Sequence, residues 1–217
     1  LYSDGYVHVK FGHAGAEKRR GKAGEAVTVP CKADTANDLE TYIYSAGSIS
    51  RLGDLSGLMA DRIELNSAVK LRNLPLGSQT PGYENRDLEQ LSFGTINNLE
   101  SIDLTALTNL KGTLDLSAFD GLREIYGAGS GISGVIFAPN APVETAILPK
   151  VGALILRGQR KLDHLSMDPT GLFNLRLEDC PNIDSLSLVR NATALQRGRI
   201  TAVLWEDADT DLLLRLA

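Results

Sequence analysis

The chain has 217 residues, of which 43% are hydrophobic and 23% are charged, and its formal net charge is −5. This composition is ordinary for a folded globular protein and argues against intrinsic disorder. The negative charge gives no electrostatic reason to bind nucleic acid or an anionic membrane, and no apolar run is long enough to span a bilayer. Aromatic residues make up only 6%, so we expect a core built of aliphatic side chains.

Residues 1–45 differ in pattern from the rest of the chain. Apolar and polar residues alternate at 6–11 and again at 26–31, which is typical of half-buried β-strands. The basic run at 18–22 lies between them, and we expect it to form an exposed loop. Such a loop could bind phosphate or an acidic protein, but in an acidic chain a solvated loop is the simpler interpretation. The pattern predicts a small N-terminal β region that resembles a hairpin.

A short repeat extends from about residue 46 to about residue 200. Its clearest copies are 172–180, which reads L-x-x-L-x-L-x-x-C, and 183–191, which reads I-x-x-L-x-L-x-x-N. A turn-rich insertion at 77–83 and a degenerate copy around 147–149 account for the two longest gaps between copies. Most copies are ten to twelve residues apart, and the central apolar position falls at Leu74, Leu91, Ile102, Leu114, Ile125, Val135, Leu154, Leu165, Leu175 and Leu186.

The repeat predicts a solenoid. Two apolar residues separated by one residue lie on the same face of a short strand, because side chains alternate along it. Such a strand buries its apolar face only by stacking on further copies. About eleven residues leave no room for a strand and a helix, and a usual leucine-rich repeat has about 20–29 residues. We therefore expect a mainly β, leucine-rich-repeat-like solenoid in which two units form one coil of about 22 residues, with strands on two faces. In the alternative, some units have a brief turn in place of a strand.

Residues 201–217 are predicted to begin a separate C-terminal region. An Asp-Thr-Asp segment at 209–211 precedes a leucine-rich segment at 212–216, which is the pattern of a helix with an N-cap. Trp205 is expected to cap or extend the core. The chain begins without Met and ends inside an apolar stretch, so we expect it to be a piece of a longer protein. The predicted organisation is an N-terminal β region at 1–45, a solenoid at 46–200 and the start of a further region at 201–217.

Two groups of residues have the composition of a cofactor or metal site. The segment 129–134 matches G-x-G-x-x-G, but a dinucleotide site needs a helix after the glycines. Here a strand-like segment follows, so we expect these glycines to form a tight corner of the solenoid. His8, His13 and Cys31 have the side chains of a zinc site, but no second close pair of ligands supports it. We predict neither a cofactor nor a metal.

Two carboxylates of the repeat are the candidates for catalysis, whereas its inward polar residues have a structural interpretation. Asp103 and Asp115 occupy the same place between paired apolar residues, so they are candidates to line up on one face as a glycosidase pair. The alternative is a charged outer face that keeps the repeat soluble. Cys180 and Asn191 fall where a repeat turns a polar residue inward; Asn191 also begins a glycosylation sequon, which we interpret as structural. His164 is expected to face solvent at the start of a strand. We predict no catalytic residue and assign no binding residue.

Phrases around the repeat resemble a known group of proteins. They are Leu-Tyr-Ser-Asp-Gly-Tyr-Val-His-Val at 1–9, Glu-Thr-Tyr-Ile-Tyr-Ser-Ala at 40–46, Gly-Asp-Leu-Ser-Gly-Leu at 53–58 and the ending at 210–217. With the repeat, they resemble leucine-rich repeat proteins encoded by tailed bacteriophages and prophages of gut bacteria. Those proteins often have Cys-Pro-Asn in several repeats, whereas here it occurs only at 180–182. No functional residue can be carried over from the group.

The resemblance implies a virion-associated structural or adhesive protein and not an enzyme. We therefore expect a non-enzymatic component of a phage tail or capsid, whose partners are other virion subunits or a host surface. Self-association is compatible with this role, since virion proteins are commonly symmetric oligomers. A bacterial cell-surface leucine-rich repeat adhesin is the first alternative. A carbohydrate-active solenoid is the second and the least favoured.

Overall fold

The fold is given by a computed structural model that describes residues 2–3, 6–11, 17–22, 25, 27–28, 41–45, 49–52, 61–65, 70–77 and 87–183. These residues form short β-strands and one turn of 3-10 helix at Pro169–Gly171. The strands are β1 (Tyr2–Ser3), β2 (Tyr6–Phe11), β3 (Glu17–Arg20), β4 (Thr41–Ser45), β5 (Ile49–Arg51), β6 (Arg62–Glu64), β7 (Asn73–Pro75), β8 (Gln90–Ser92), β9 (Ser101–Asp103), β10 (Gly112–Leu116), β11 (Glu124–Tyr126), β12 (Ile132–Phe137), β13 (Thr145–Ile147), β14 (Ala153–Arg157), β15 (His164–Ser166) and β16 (Asn174–Glu178).

The strands from β5 onward alternate between two sides of a solenoid-like stack of about four coils. Sheet 1 has seven strands in the order β1-β5-β7-β9-β11-β13-β15, in which β1 is antiparallel to β5 and the later neighbours are parallel. Sheet 2 has four parallel strands in the order β10-β12-β14-β16, and β6 and β8 form a separate parallel pair. The prediction of a mainly β solenoid is therefore confirmed.

Each complete coil contains one strand of sheet 1 and one strand of sheet 2. Neighbouring strands of sheet 1 align Ile102, Ile125, Ala146 and Leu165 in one row, so successive coils contain 23, 21 and 19 residues. Sheet 2 aligns its own central residues in the same way, at spacings of 21, 19 and 21 residues from residue 114. These lengths agree with the prediction that two units of about eleven residues pair into one coil of about 22.

The core lies between the two sheets and is almost entirely aliphatic. In β10, Leu114 and Leu116 are buried while Asp115 between them is exposed, and the same alternation recurs along the solenoid. Side chains from both sheets belong to one hydrophobic cluster. Full burial of one such side chain stabilises a fold by about 1.5–3 kcal/mol. Phe93 and Phe119 add an edge-to-face contact with ring centroids 4.9 Å apart.

One strand of sheet 1 differs from the predicted repeat. A degenerate copy was expected around 147–149, whereas the strand is β13 and its central inward residue is Ala146, which is fully buried. Alanine is too small and too common on surfaces for its position to reveal a repeat. The packing is nevertheless continuous, because Ala146 is paired in register with Ile125 on one side and Leu165 on the other.

The N-terminal region also differs from its prediction. Strands β3, β2 and β4 form an antiparallel sheet in that order. The basic residues Lys18, Arg19 and Arg20 belong to β3, so most of the predicted exposed loop is a strand, although its side chains are exposed as expected. The apolar alternation that reveals a strand is missing because every residue of β3 is charged. Lys18 Nζ lies 4.1 Å from the centroid of the Tyr6 ring.

Several predicted features lie outside the described residues. They are most of the second N-terminal strand at 26–31, the insertion from residue 78, the repeat copy from residue 184, and the C-terminal region at 201–217. The strand β1 belongs to sheet 1 of the solenoid, although it lies in the N-terminal region of the chain.

Candidate functional site

The glycine-rich segment at 129–134 forms a corner between β11 and β12, as the sequence predicted. Gly129 has a φ of 70°, which L-residues rarely adopt. Gly131 lies against the preceding coil: its N–H donates to Leu107 O at 3.0 Å, and a Cβ added there would lie 2.4 Å from Thr108 O. The next element is β12 and not a helix, so the segment lacks the helix N-terminus that a dinucleotide site requires.

The histidine candidates are dispersed. His8 lies in β2, opposite Lys18 of β3 and Tyr44 of β4, while His13 and Cys31 lie outside the described residues. His164 begins β15 and is exposed, as expected. Nowhere in the described ranges do three His, Cys, Asp or Glu side chains come together as a metal site would need. The zinc hypothesis therefore gains no structural support.

The two candidate carboxylates lie on different sheets, so the expectation that they share one face is wrong. Asp103 ends β9 in sheet 1, and Asp115 lies in β10 in sheet 2. Successive units alternate between the sheets, so equivalent residues of neighbouring units point in opposite directions. Each carboxylate also has a local role: Asp103 Oδ1 accepts a hydrogen bond from Thr105 N, and Asp115 Oδ1 accepts one from Ser117 N, both at 2.9 Å. These bonds close the turn that follows each strand.

Inward polar side chains complete the hydrogen bonding of the coils. Gln159 is fully buried, and its Nε2 donates to Ala138 O of the preceding coil at 2.7 Å. Cys180, in the equivalent place one coil later, is a free and half-buried thiol that donates to Glu178 O at 3.2 Å. Burial raises the pKa of the Cys180 thiol above its usual value. The sequence predicted an inward role for Cys180, but it missed Gln159 because Gln is not the usual residue there.

The outer face of sheet 1 carries a ladder of opposite charges beside its strands. Arg72 Nη1 lies 2.8 Å from Glu100 Oε1, and Arg123 Nη1 lies 3.0 Å from Glu144 Oε1. Backbone hydrogen bonds run from Glu100 N to Arg72 O, from Arg123 N to Glu100 O and from Glu144 N to Arg123 O, so the four residues occupy one row. About half of each side chain is exposed, and exposed pairs contribute only about 0–1 kcal/mol each. The ladder therefore determines the charge pattern of the face and contributes little to the stability of the fold.

An apolar centre lies next to this ladder on sheet 1. Tyr126 and Ile147 are paired in register on β11 and β13, and both are half-buried with their side chains on the outer face. Asp103 and Ser166 flank them in the same row. Burial and then the nearby Glu124 carboxylate, which is also hydrogen bonded to the phenol, raise the pKa of Tyr126. The centre is thus an aromatic and an aliphatic side chain surrounded by polar groups.

The outer face of sheet 2 is more apolar. Ile136 and Ile155 are half-buried neighbours on β12 and β14, and neither belongs to the core cluster. Phe173, which precedes β16, is 48% exposed. Its ring covers Gly152, where an added Cβ would lie 2.3 Å from the Phe173 Cε1 atom. Large exposed apolar side chains on a flat sheet are typical of a contact surface.

A shallow cleft interrupts the second side of the solenoid between β8 and β10. No strand of the described ranges connects these two, and the gap has a volume of about 230 Å³. Its floor includes the core residues Leu110, Leu114 and Ile132, and its rim carries Glu89 and Lys111. One acidic side chain, one basic side chain and the Thr113 hydroxyl thus line the cleft beside apolar side chains.

The chain was compared with known proteins by family, sequence and structure. No protein-family model matches it, no curated protein is significantly similar to it, and no solved structure matches its fold. The resemblance to phage leucine-rich repeat proteins therefore stays a prediction. No helix among the described residues has both the length and the hydropathy that a membrane span requires.

Proposed function

We propose that this chain is a non-enzymatic structural protein that binds another protein through the outer face of sheet 1. The observation that carries the proposal is the pair Tyr126 and Ile147, which lies on the fifth and sixth strands of the seven-stranded sheet within a polar surround. Protein interfaces have this organisation, with an apolar, often aromatic centre and a polar rim that excludes water. Strands about 4.8 Å apart make seven of them about 30 Å wide, which is enough for an interface.

The charges around the centre indicate the chemistry of the partner. Asp103 and Glu124 lie directly beside Tyr126 and both influence its pKa. The adjacent ladder contains the acids Glu100, Glu144 and Asp163. The first two each have an arginine partner within 3.0 Å. Asp163 extends the row by one more acid, because its N–H donates to Glu144 O. The partner's surface would have a protruding apolar side chain surrounded by basic or hydrogen-bond-donating groups, because charges of opposite sign face each other across interfaces.

We further propose that the protein is a leucine-rich repeat component of a phage virion. The support is the resemblance of the flanking phrases, together with a solenoid that offers two extended faces for contacts with neighbouring subunits. A bacterial cell-surface adhesin would use the same faces and is the alternative. A carbohydrate-active solenoid has less support, because Asp103 and Asp115 lie on different sheets.

The first experiment asks where the protein is found. Particles released from the bacterium that carries the gene would be purified by density and analysed by quantitative mass spectrometry. A fixed number of copies per particle, absent from particles of a deletion strain, would support the virion proposal. Recovery in the bacterial envelope with none in the particles would contradict it and favour the adhesin.

The second experiment tests the binding face. Purified full-length protein would be added back to particles from the deletion strain, and the bound fraction titrated. Tyr126→Ala is expected to weaken binding at least about tenfold, as truncation of an interface anchor does. Pro75→Ala is the matched control, because Pro75 is half-buried in the same outward row two strands away, and it should change binding less than about threefold. Equal effects of the two variants would contradict a centre at Tyr126.

A further inference from the structure

The outer face of sheet 2 has a row of four residues with an unusual order of charge. Neighbouring strands pair Asp115 with Ile136, Ile136 with Ile155, and Ile155 with Arg176. The row therefore reads acid, apolar, apolar, base, one residue from each strand of the sheet. All four point away from the core, because the residues on either side of each in its strand are buried.

Short side chains occupy the outward row beside these four residues. The adjacent outward row consists of Thr113, Gly134, Ala153 and Asn174. Space at its centre is tight, since a Cβ added to Gly134 would lie 3.0 Å from Thr113 Oγ1 and 3.2 Å from Ala153 Cβ. Because the side chains next to Ile136 and Ile155 are small, the isoleucine row stands above the strip beside it and would be the first part of the face to meet another surface.

We propose that a second copy of this chain docks on this face with two-fold symmetry. Consider a two-fold axis that lies in the interface, runs parallel to the strands and passes between Ile136 and Ile155. It reverses the order of the row, so Asp115 of each copy faces Arg176 of the other, and Ile136 of each faces Ile155 of the other. Two ion pairs then flank a central apolar contact. An isologous interface requires such self-complementarity.

The order of charges also selects this axis over the other simple arrangement. A two-fold axis parallel to the row would place Asp115 against Asp115 and Arg176 against Arg176, which is repulsive at both ends. The raised isoleucine row would meet itself in either case, so the apolar contact alone does not distinguish the two. Electrostatic complementarity therefore fixes the relative direction of the two copies.

The two charged groups are placed to make the contact. Asp115 is exposed, and Ser117 is the residue that donates hydrogen bonds to its carboxylate, with Ser117 N 2.9 Å from Oδ1. An exposed carboxylate oxygen can accept more than one hydrogen bond, so the group can also bind an incoming guanidinium. Arg176 is 30% exposed and uses its Nε to pair with Glu178. Its two terminal nitrogens carry the remaining donors of the guanidinium. Arg157 lies near the same carboxylate, with its Nε 3.6 Å from Glu178 Oε2, so this end of the row keeps a net positive charge.

The size of the face sets the strength of the contact. Four strands of about five residues cover about 19 Å by 16 Å, or roughly 300 Å² per copy. Stable complexes bury about 800 Å² per partner. The dimer should therefore be weak as an isolated pair, with a dissociation constant in the micromolar range or above, and it should strengthen where many copies are held together.

The inference rests on the proposed function only in that both treat the solenoid's outer faces as binding surfaces, and it concerns the opposite sheet.

Sedimentation equilibrium of the full chain, from about 1 μM to 1 mM, would measure self-association in Asp115→Arg, Arg176→Asp and the double variant. Each single reversal places like charges together at both ends and should weaken the dimer at least about tenfold. The double variant restores opposite charges and should return the dissociation constant to within about threefold of wild type.

The design separates this inference from misfolding and from the proposed function. Recovery in the double variant shows that the single reversals do not act by unfolding the chain. Tyr126→Ala, on the other sheet, should leave the dimer unchanged while it weakens binding to particles. A wild-type chain that stays monomeric at 1 mM would overturn the inference, as would a double variant no better than the single ones. Either result would leave the sheet 1 proposal intact, because its readout is binding to particles.

Discussion

Gly131→Ala is expected to destabilise the solenoid strongly, because the corner at 129–134 leaves no room for a side chain. An added Cβ would lie 2.4 Å from Thr108 O and 2.8 Å from Leu110 O. Both oxygens belong to the backbone of the preceding coil, so neither can rotate away as a flexible side chain would. Overpacking that forces the backbone to shift costs about 1–3 kcal/mol.

Gly121→Ala is the matched control for this variant. No atom lies within 4 Å of a Cβ added at Gly121, and its φ is not positive. Alanine reduces the conformational entropy of the unfolded chain, so the control should be neutral or more stable by about 0.4–1 kcal/mol. The two variants should therefore differ by about 1–4 kcal/mol in the free energy of unfolding, measured by urea titration with circular dichroism. Equal stabilities would refute the tight corner and reopen the question of what the glycines do.

Three further predictions concern single side chains. Gln159→Leu removes the donor to a buried carbonyl, and it should lower the free energy of unfolding by about 1–3 kcal/mol in urea; unchanged stability would contradict the bond. Hydrogen bonds from the backbone and then the hydroxyl of Thr170 hold the pKa of Asp168 below its usual 3.8. Because the folded pKa is the lower one, this carboxylate stabilises the fold above the unfolded pKa, and the contribution disappears as the pH falls through the folded value. Asp168→Asn should therefore lose less stability than wild type on acidification from about pH 5 to pH 2, and parallel losses would argue against the bond. Burial raises the pKa of Cys180, so in a Cys31→Ser background its alkylation by iodoacetamide should require a higher pH when the chain is folded than when it is unfolded in urea; identical pH profiles would show that the thiol is not buried.

The sequence predicts the coil because leucine spacing reports directly on which side chains are inward. Leu114 and Leu116 are separated by one residue and are both buried, and the next apolar pairs follow at about eleven residues. Pairing of two units into a coil is also favoured by length, since eleven residues leave no room for a strand and a helix, but the same length allows units with a brief turn in place of a strand. The same reasoning fails at Ala146, where the inward residue is too small to stand out.

The outer faces could not be predicted in the same way. Whether two outward residues are neighbours depends on which units share a sheet and on their register, and neither is visible in a single repeat. Asp103 and Asp115 look equivalent in the sequence but lie on different sheets. Tyr126 and Ile147 are 21 residues apart and become neighbours only because their strands are in register. The strand β3 was missed for a related reason, since an edge strand with only charged residues carries no apolar period.

Both proposed surfaces exist only if alternate units share a sheet, and disulfide trapping tests that directly. In a chain with Cys31 and Cys180 replaced by Ser, the pair Tyr126→Cys and Ile147→Cys joins neighbouring strands of sheet 1. Strands about 4.8 Å apart are within the Cα separation that a disulfide spans. The pair Tyr126→Cys and Ile136→Cys is closer in sequence but joins residues of different sheets.

Oxidation of dilute protein, followed by mass spectrometry of the monomer, would report which pair forms an intramolecular disulfide. The account predicts rapid and nearly complete bond formation for residues 126 and 147, and little for residues 126 and 136. Preferential bonding between residues 126 and 136 would mean that each unit stacks directly on the next. That result would contradict the two-sided solenoid, and with it both proposed binding faces.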